Sequence, residues 1–405
     1  MDQFSVLIAG GGVAALEAAL TLADVGEGRV RVELLSSEPR FWYRPAAVAE
    51  PFGLATVRHF DLGLLAARAG AGMTIGRLTG VDADKQVART ASGAEFAYDA
   101  LVIACGAVPT SAVRGALTFR GPADGARLRT VLEELEQGVA ERVVFVVPPG
   151  SAWPLPAYEL ALMTARHLSA CGVTRPAVSL ATPEPRPLQI FGPTAGDAVG
   201  ELLRQAGVDV VCGVGAVEHD GRALRLVDGT LAADRAVALP RLQGGRIGGI
   251  PQTDGGFVRV DDHCAVTGVD RVFAAGDITA FTIKQGGLAA QQAVVAAEAV
   301  AVLAGATLVP QPFRPILRGL LLTGGEPTYL RRELGDGDEG DWASGAPIWW
   351  PPTKIVGRRL TPFLASVAGE GDVVTPDLPP PTGVPVEAPI GRENADATQS
   401  VGLGF

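Results

Sequence analysis

Residues 4–20, FSVLIAGGGVAALEAAL, run from an apolar stretch through three glycines into an alanine-rich segment. Val6, Leu7, Ile8 and Ala9 are consecutive and apolar, as in a parallel strand buried on both faces. The segment from Val13 predicts a helix ending near Gly26 or Gly28, and 30–35 predicts a second strand. Short apolar runs recur within 98–109, at 143–147, at 177–181 and within 267–281. Helical runs start near Pro156 and at 284–305. Strands are also expected at 73–78, 86–90 and 94–97, after a short helix in 56–72. Strands alternating with helices predict an α/β fold built on parallel sheets.

The first strand and helix are joined by G-x-G-x-x-A, with Gly10, Gly12 and Ala15 at the key places. Gly10 permits the tight turn, Gly12 lets a pyrophosphate approach the backbone, and Ala15 lets helix and strand pack closely. Val13 and Ala14 lie where free N–H groups at the helix start face the phosphates. Such folds place a carboxylate near the end of the second strand to hold a ribose. The nearest acid is Glu38, two residues beyond the expected place; the alternative is a solvated loop acid. In FWYRP, residues 41–45, Arg44 is placed to pair with a pyrophosphate and Pro45 to stiffen the chain beside a flat ring. The competing reading is a hydrophobic plug between domains.

At 405 residues the chain exceeds a single core, and a formal charge of −10 argues against nucleic acid as partner. Asp2 and Gln3 stand where a signal peptide would be basic, and no uninterrupted apolar run is long enough to predict a membrane span. Cys105, Cys171, Cys212 and Cys264 show no metal-ligand spacing, so no metal site is expected and a cytoplasmic location is.

Tyr98-Asp99, the apolar run after it and Ala104-Cys105-Gly106-Ala107 resemble the second FAD-contacting turn of the two-dinucleotide-domain flavoproteins. That is the glutathione-reductase-like superfamily of pyridine-nucleotide-linked oxidoreductases. Cys105 stands where the family usually has threonine. Gly276-Asp277, ending the strand within 267–281, matches a third motif, whose aspartate takes a flavin-side hydroxyl in the family. Gln285 and Gly286 head the helix whose N–H groups would face the isoalloxazine. The resemblance implies two Rossmann-like FAD/NAD(P)-binding domains, the second inserted in the first, plus a small C-terminal region. The FAD domain is expected over 1–115 and 256–305, the NAD(P)-like domain over 116–255 and the C-terminal region over 306–368. Residues 369–405, rich in Pro, Gly and acids, are expected to be disordered.

The second domain departs from the G-x-G-x-x-G pattern. Only Gly150 survives in PPGSAWPLPAYE, while Glu159 and Glu184 are the acids placed for a nicotinamide dinucleotide. PAYE and LQIFG resemble the sulfide:quinone oxidoreductase and type II NADH dehydrogenase branch. Trp153 replaces the redox cysteine of the sulfide enzymes, and no paired thiols exist for a disulfide relay. In IWWPPTKIVGRRLTPFLASV, residues 348–367, Val356, Leu360, Phe363, Leu364 and Val367 have helical spacing. Trp349 and Trp350 are candidates for an acceptor pocket, with Lys354 at its polar edge. Arg358 and Arg359 offer a peripheral lipid contact, but a helix packed on the protein is the preferred reading. Of the catalytic residues only candidates emerge, Lys354 and Trp350. The resulting expectation is FAD, with NAD(P)H as a candidate second cofactor, passing electrons from a small donor to an acceptor such as a quinone. Its alternatives are a sulfide:quinone-like protein without thiols and a non-catalytic FAD scaffold or redox sensor.

Overall fold

The computed structural model describes residues 3–335, 340–368 and 384–385. β1 (Phe4–Ala9) runs into α1 (Val13–Val25), and β2 (Val30–Ser36) returns parallel to β1, with Phe4 opposite Val30 and Ala9 opposite Leu35. β3 (Gly72–Ile75) extends the sheet beyond β2, and β4 (Ala100–Ile103) pairs with the other edge of β1. A second parallel sheet follows, from β5 (Arg142–Val146), β6 (Ala177–Ala181), β7 (Val208–Val211) and β8 (Arg235–Ala238), with the two-residue strand Leu117–Thr118 at its edge. The helix α2 (Leu155–Ala170) joins β5 to β6. β9 (Val272–Ala274) then rejoins the first sheet, whose order becomes β9-β4-β1-β2-β3. The second sheet is thus inserted between β4 and β9. Both sheets are parallel and read as unbroken apolar runs because helices cover them.

The long helix α3 (Gly286–Leu303) packs against α1. By length and composition it could cross a membrane, but here it is mostly buried. Ala14, Ala15, Ala18 and Ala19 share one core with Ala289, Ala293, Ala296 and Ala297. Small side chains let the two helices approach closely, and their N-terminal ends meet at Gly276. A Cβ there would lie 3.1 Å from Ala14 Cβ and 3.3 Å from Ala289 Cβ, and its φ of +80° suits glycine.

The C-terminal region is a three-stranded antiparallel sheet, β10 (Ile316–Leu321), β11 (Thr328–Glu333) and β12 (Trp342–Ser344), followed by α4 (Leu360–Ala368). β10 and β11 form a hairpin across Thr323, Gly324 and Gly325. β12 is three residues long, too few to show an alternation in the sequence. The strand expected over 73–78 breaks at Gly76 into β3 and a separate strand, Leu78–Asp82. The helix expected within 348–367 begins only at Leu360, because Pro351, Pro352 and Gly357 keep 348–359 an irregular strap. Residues 369–383 and 386–405 of the expected disordered tail lie outside the described residues; at Pro385 the carbonyl accepts the Trp350 N–H at 2.9 Å.

Buried Glu17 in α1 accepts the backbone N–H groups of Arg359 (2.8 Å) and Leu360 (2.9 Å), and so caps α4. Burial pushes the Glu17 pKa up, against those two bonds and the nearby arginines. Arg359 also pairs with Asp24 at 2.6 Å, and Leu360 and Leu364 enter the core. The apolar stripe of α4 therefore faces protein.

Candidate functional site

A cleft of about 770 Å³ lies where the two parallel sheets and the strap meet. Three distant stretches of chain reach it at strand ends. From β1 and α1 come Gly10, Gly12, Val13 and Ala14; from the end of β4, Cys105 and Gly106; from the end of β9, Gly276 and Asp277. Ala15 sits one residue further in, fully buried between helix and sheet. Glu38, Arg44, Pro45, Gln285, Gly286, Glu159 and Lys354 line the same cleft.

The two key glycines of the first turn do different work. A Cβ at Gly10 would lie 2.1 Å from the Ala104 carbonyl oxygen, so the close crossing of β1 and β4 excludes a side chain there. A Cβ at Gly12 would meet nothing within 4 Å. The space beside Gly12 is open cleft, at the start of a helix with no side-chain cap and no acid in its first turn. Free N–H groups beside empty space suit a phosphate. The donor set agrees with that. The chain carries −10 overall, yet Arg40, Arg44, Arg77, Arg246 and Lys284 face the cleft. A dinucleotide with its pyrophosphate meets the same chemistry, and the residues present fit FAD.

Asp277 is held by its surroundings. Gln292, buried in α3, accepts the Gly276 N–H at 2.8 Å through Oε1 and fixes the turn. Burial raises the Asp277 pKa, while Lys284 and Arg44 pull it down. Lys284 donates to the Thr279 carbonyl, lies 4.2 Å over the Phe257 ring, and is pushed down to about 8 by burial, against the pull of Asp277. A carboxylate in this place is a strong acceptor for a sugar hydroxyl. Asp277→Ala is expected to weaken FAD binding tenfold to a hundredfold, from loss of a charge-assisted bond of about 1.5–3 kcal/mol. Titration of apoprotein with FAD checks this; an unchanged dissociation constant would reject the role.

Glu159 and Lys354 come from different parts of the fold and meet at the cleft. Glu159, on α2, is 1 % exposed. Its Oε1 accepts from Lys354 Nζ at 2.5 Å and from the Leu322 N–H at 2.9 Å. Burial raises the Glu159 pKa, and the Lys354 ammonium opposes that. The Lys354 strap is anchored in turn: the Ile355 N–H points to the Tyr43 hydroxyl, at 3.4 Å. In the FWYRP segment Phe41 is buried in the core and reaches the cleft wall, and Arg44 and Pro45 line the same cleft.

Other expected residues lie elsewhere. Glu184 turns inward; its Oε2 accepts from the Tyr158 hydroxyl at 2.7 Å and the Thr182 hydroxyl at 3.1 Å. Gly150 is exposed, with φ +78°, and does not reach the cleft lining, although Ser151, Ala152 and Trp153 after it do. In the strap, Trp349 is wholly buried, edge-on to Tyr329 at 5.1 Å, and Trp350 is 5 % exposed. Neither lines the cleft; Trp153 does, packed edge-on against Phe191 at 5.9 Å. All four cysteines are free, and of them only Cys105 lines the cleft. Lys284 and Arg318 also line it, and sequence reading passed over both. Lys284 had a signal, as the first residue of the helical run expected over 284–305. Arg318 had none, since alternation in β10 does not tell which face meets a cleft.

The family described as pyridine nucleotide-disulphide oxidoreductase matches residues 4–298. The chain is 31 % identical over 309 residues to the ferredoxin reductase subunit of a 5,5'-dehydrodivanillate O-demethylase from Sphingobium sp., covering 69 % of this chain and 68 % of that one. It is 29 % identical over 303 residues to an NADH dehydrogenase-like protein of Mycobacterium tuberculosis, covering 68 % and 72 %. The solved sulfide:quinone oxidoreductase of Aquifex aeolicus superposes with a TM-score of 0.75 at 19 % identity, over 84 % of this chain and 86 % of that chain. At that identity the likeness is one of fold.

Proposed function

The chain belongs to the pyridine nucleotide-disulphide oxidoreductase family and is an FAD-dependent oxidoreductase, and we propose that it passes electrons from NAD(P)H or another small donor to a small acceptor of the quinone type. The observation that carries this reading is the buried Glu159–Lys354 pair in the cleft lined by the three dinucleotide-binding stretches. FAD, when bound, supplies the two-electron chemistry. The protein supplies position and protons.

Reduction of a quinone to a quinol takes up two electrons and two protons. Lys354 Nζ is a donor at the cleft wall, held there by Glu159 Oε1, and both side chains are largely buried. Glu159, raised by burial, accepts and releases a proton nearer neutrality than a solvated carboxylate does. Apolar walls from Trp153, Leu155, Leu320 and Ile355 suit a flat acceptor and keep water out. Cys105 has no second thiol beside it, so these residues provide no disulfide relay.

On the donor side, Glu184 is engaged by Tyr158 and Thr182, so a ribose contact would come from other groups. A nicotinamide dinucleotide would enter past the loop of Ser151, Ala152 and Trp153. The relative named as a ferredoxin reductase subunit raises a second acceptor, a protein iron–sulfur carrier. Photoreduced holoprotein mixed anaerobically with a soluble quinone or with a plant-type ferredoxin separates the two. Faster reoxidation by the quinone is expected; reoxidation by the ferredoxin alone would overturn the small-acceptor reading.

A further inference from the structure

Lys284 stands at the wrong end of a helix. It precedes Gln285, the N-cap of α3, where aligned peptide dipoles make the potential positive and a cation is unfavourable. It is also 7 % exposed, so its ammonium carries a desolvation cost as well. Three contacts hold it there. Nζ donates to the Thr279 carbonyl and lies 4.2 Å over the Phe257 ring, and the backbone N–H reaches the Ala152 carbonyl at 3.2 Å. An ammonium has three donors, and Thr279 takes one. Burial pushes the Lys284 pKa down only to about 8, against the pull of Asp277, so the charged form prevails at neutral pH. Asp277 lies in the field of Arg44 as well as that of Lys284. The side chain lines the cleft beside a first turn of α3 that carries no acid. A buried cation set against a helix dipole implies a negative group in the cleft that uses both.

The order of the strands says which part of a dinucleotide that group belongs to. In β9-β4-β1-β2-β3, the pyrophosphate turn lies at the end of β1. The adenosine half belongs at the end of β2, where Glu38 and Arg40 line the cleft. The flavin half therefore crosses the end of β4, at Cys105 and Gly106, toward β9 and the start of α3. From this placement we propose that Lys284 is the charge partner of the flavin ring: its ammonium, with the first N–H groups of α3, stabilises the negative charge that the pyrimidine edge gains on reduction. Reduction by two electrons and one proton leaves that charge at N1 and the C2 carbonyl, and a preorganised cation acts on it with no reorganisation. Lys284 thereby favours the reduced flavin, whereas Lys354, on the strap, serves the acceptor. The assignment rests on the cleft being the FAD site.

The test uses FAD-replete protein and sulfite, whose sulfur lone pair adds to flavin N5 and sends an electron pair to the N1–C2 carbonyl edge. The adduct bleaches the yellow absorbance, so its dissociation constant is read without any donor or acceptor. Native protein is expected to bind sulfite saturably. Lys284→Met should weaken sulfite by about tenfold or more, the worth of one opposite charge nearby, and lower the flavin midpoint potential. Lys284→Arg should keep most of both. No adduct in native protein, or native sulfite affinity in flavin-replete Lys284→Met, would overturn the proposal. Weaker FAD binding with unchanged sulfite affinity would also overturn it, and make Lys284 a phosphate contact. If Lys284→Met does not fold, native protein and Lys284→Gln, which keeps a donor without the charge, decide alone. Native protein purified without FAD would contradict the cofactor assignment and the proposal with it. A flavin that binds sulfite as expected but is reduced by no donor would contradict electron transfer and leave the Lys284 assignment standing.

Discussion

Gly12→Val is expected to give a folded protein that purifies without flavin. The expectation follows from where the new side chain goes. Nothing lies within 4 Å of a Cβ at this position, so the apoprotein accommodates valine without moving a neighbour. The branched side chain then stands where the pyrophosphate must approach the start of α1. Loss of the close approach and of the N–H contacts should reduce FAD affinity by more than about a hundredfold, some 3 kcal/mol or more. Gly10 makes the contrast. A Cβ there strikes the Ala104 carbonyl at 2.1 Å, so Gly10→Val should lower the unfolding temperature as well as flavin content. Circular dichroism and flavin absorbance together check both. A Gly12→Val protein with a full flavin spectrum would sink the placement of the cofactor.

Lys354→Met is expected to slow reoxidation of the reduced flavin by a quinone by about 10²–10⁴-fold, the usual worth of a positioned proton donor. Reduction of the flavin should be little changed. The variant also leaves the Glu159 carboxylate buried without its cation, a loss on the order of 3–5 kcal/mol if the carboxylate stays ionised. That penalty depends on pH. Burial already raises the folded-state pKa of Glu159, and loss of the ammonium raises it further. A carboxyl whose folded pKa lies above its unfolded value stabilises the fold below the unfolded pKa, where it is neutral. That contribution is lost as pH rises through the folded pKa. Thus Lys354→Met should unfold closest to native protein in acid and fall furthest behind at neutral pH and above. Glu159→Gln keeps the shape and removes the charge, so it should be milder in stability yet still slow reoxidation. Stopped-flow traces with the reductive step impaired and the oxidative step intact would reject the proton role.

The parallel sheets and the phosphate turn were legible in the sequence because their signals are local. The run from Val6 to Ala9, the glycines after it and the alanines of α1 each state a backbone requirement that holds wherever the rest of the chain goes. Gly276-Asp277 was legible for the same reason. Glu184 shows the limit. Its position at the end of β6 suits a ribose, but the Tyr158 and Thr182 hydroxyls draw the carboxylate inward, and no sequence spacing records that orientation. Trp349 and Trp350 show another. Aromatic side chains read equally well as core or as pocket, and the fold of β10, β11 and the strap buries both. The Glu159–Lys354 pair joins positions 195 residues apart, so only the tertiary fold could bring it to light. The helix was read as starting near Val356, because Val356 continues the apolar spacing of α4 across Gly357.

The most direct test of the account is anaerobic addition of NADH, NADPH and a panel of small non-pyridine donors to purified, FAD-replete protein. At least one donor should bleach the yellow flavin absorbance within the time of a catalytic turnover, and a soluble quinone added afterwards should restore it. A flavin that stays oxidised with every donor, in protein holding a full complement of FAD, would contradict electron transfer as the function and leave the cleft a cofactor-stabilised scaffold.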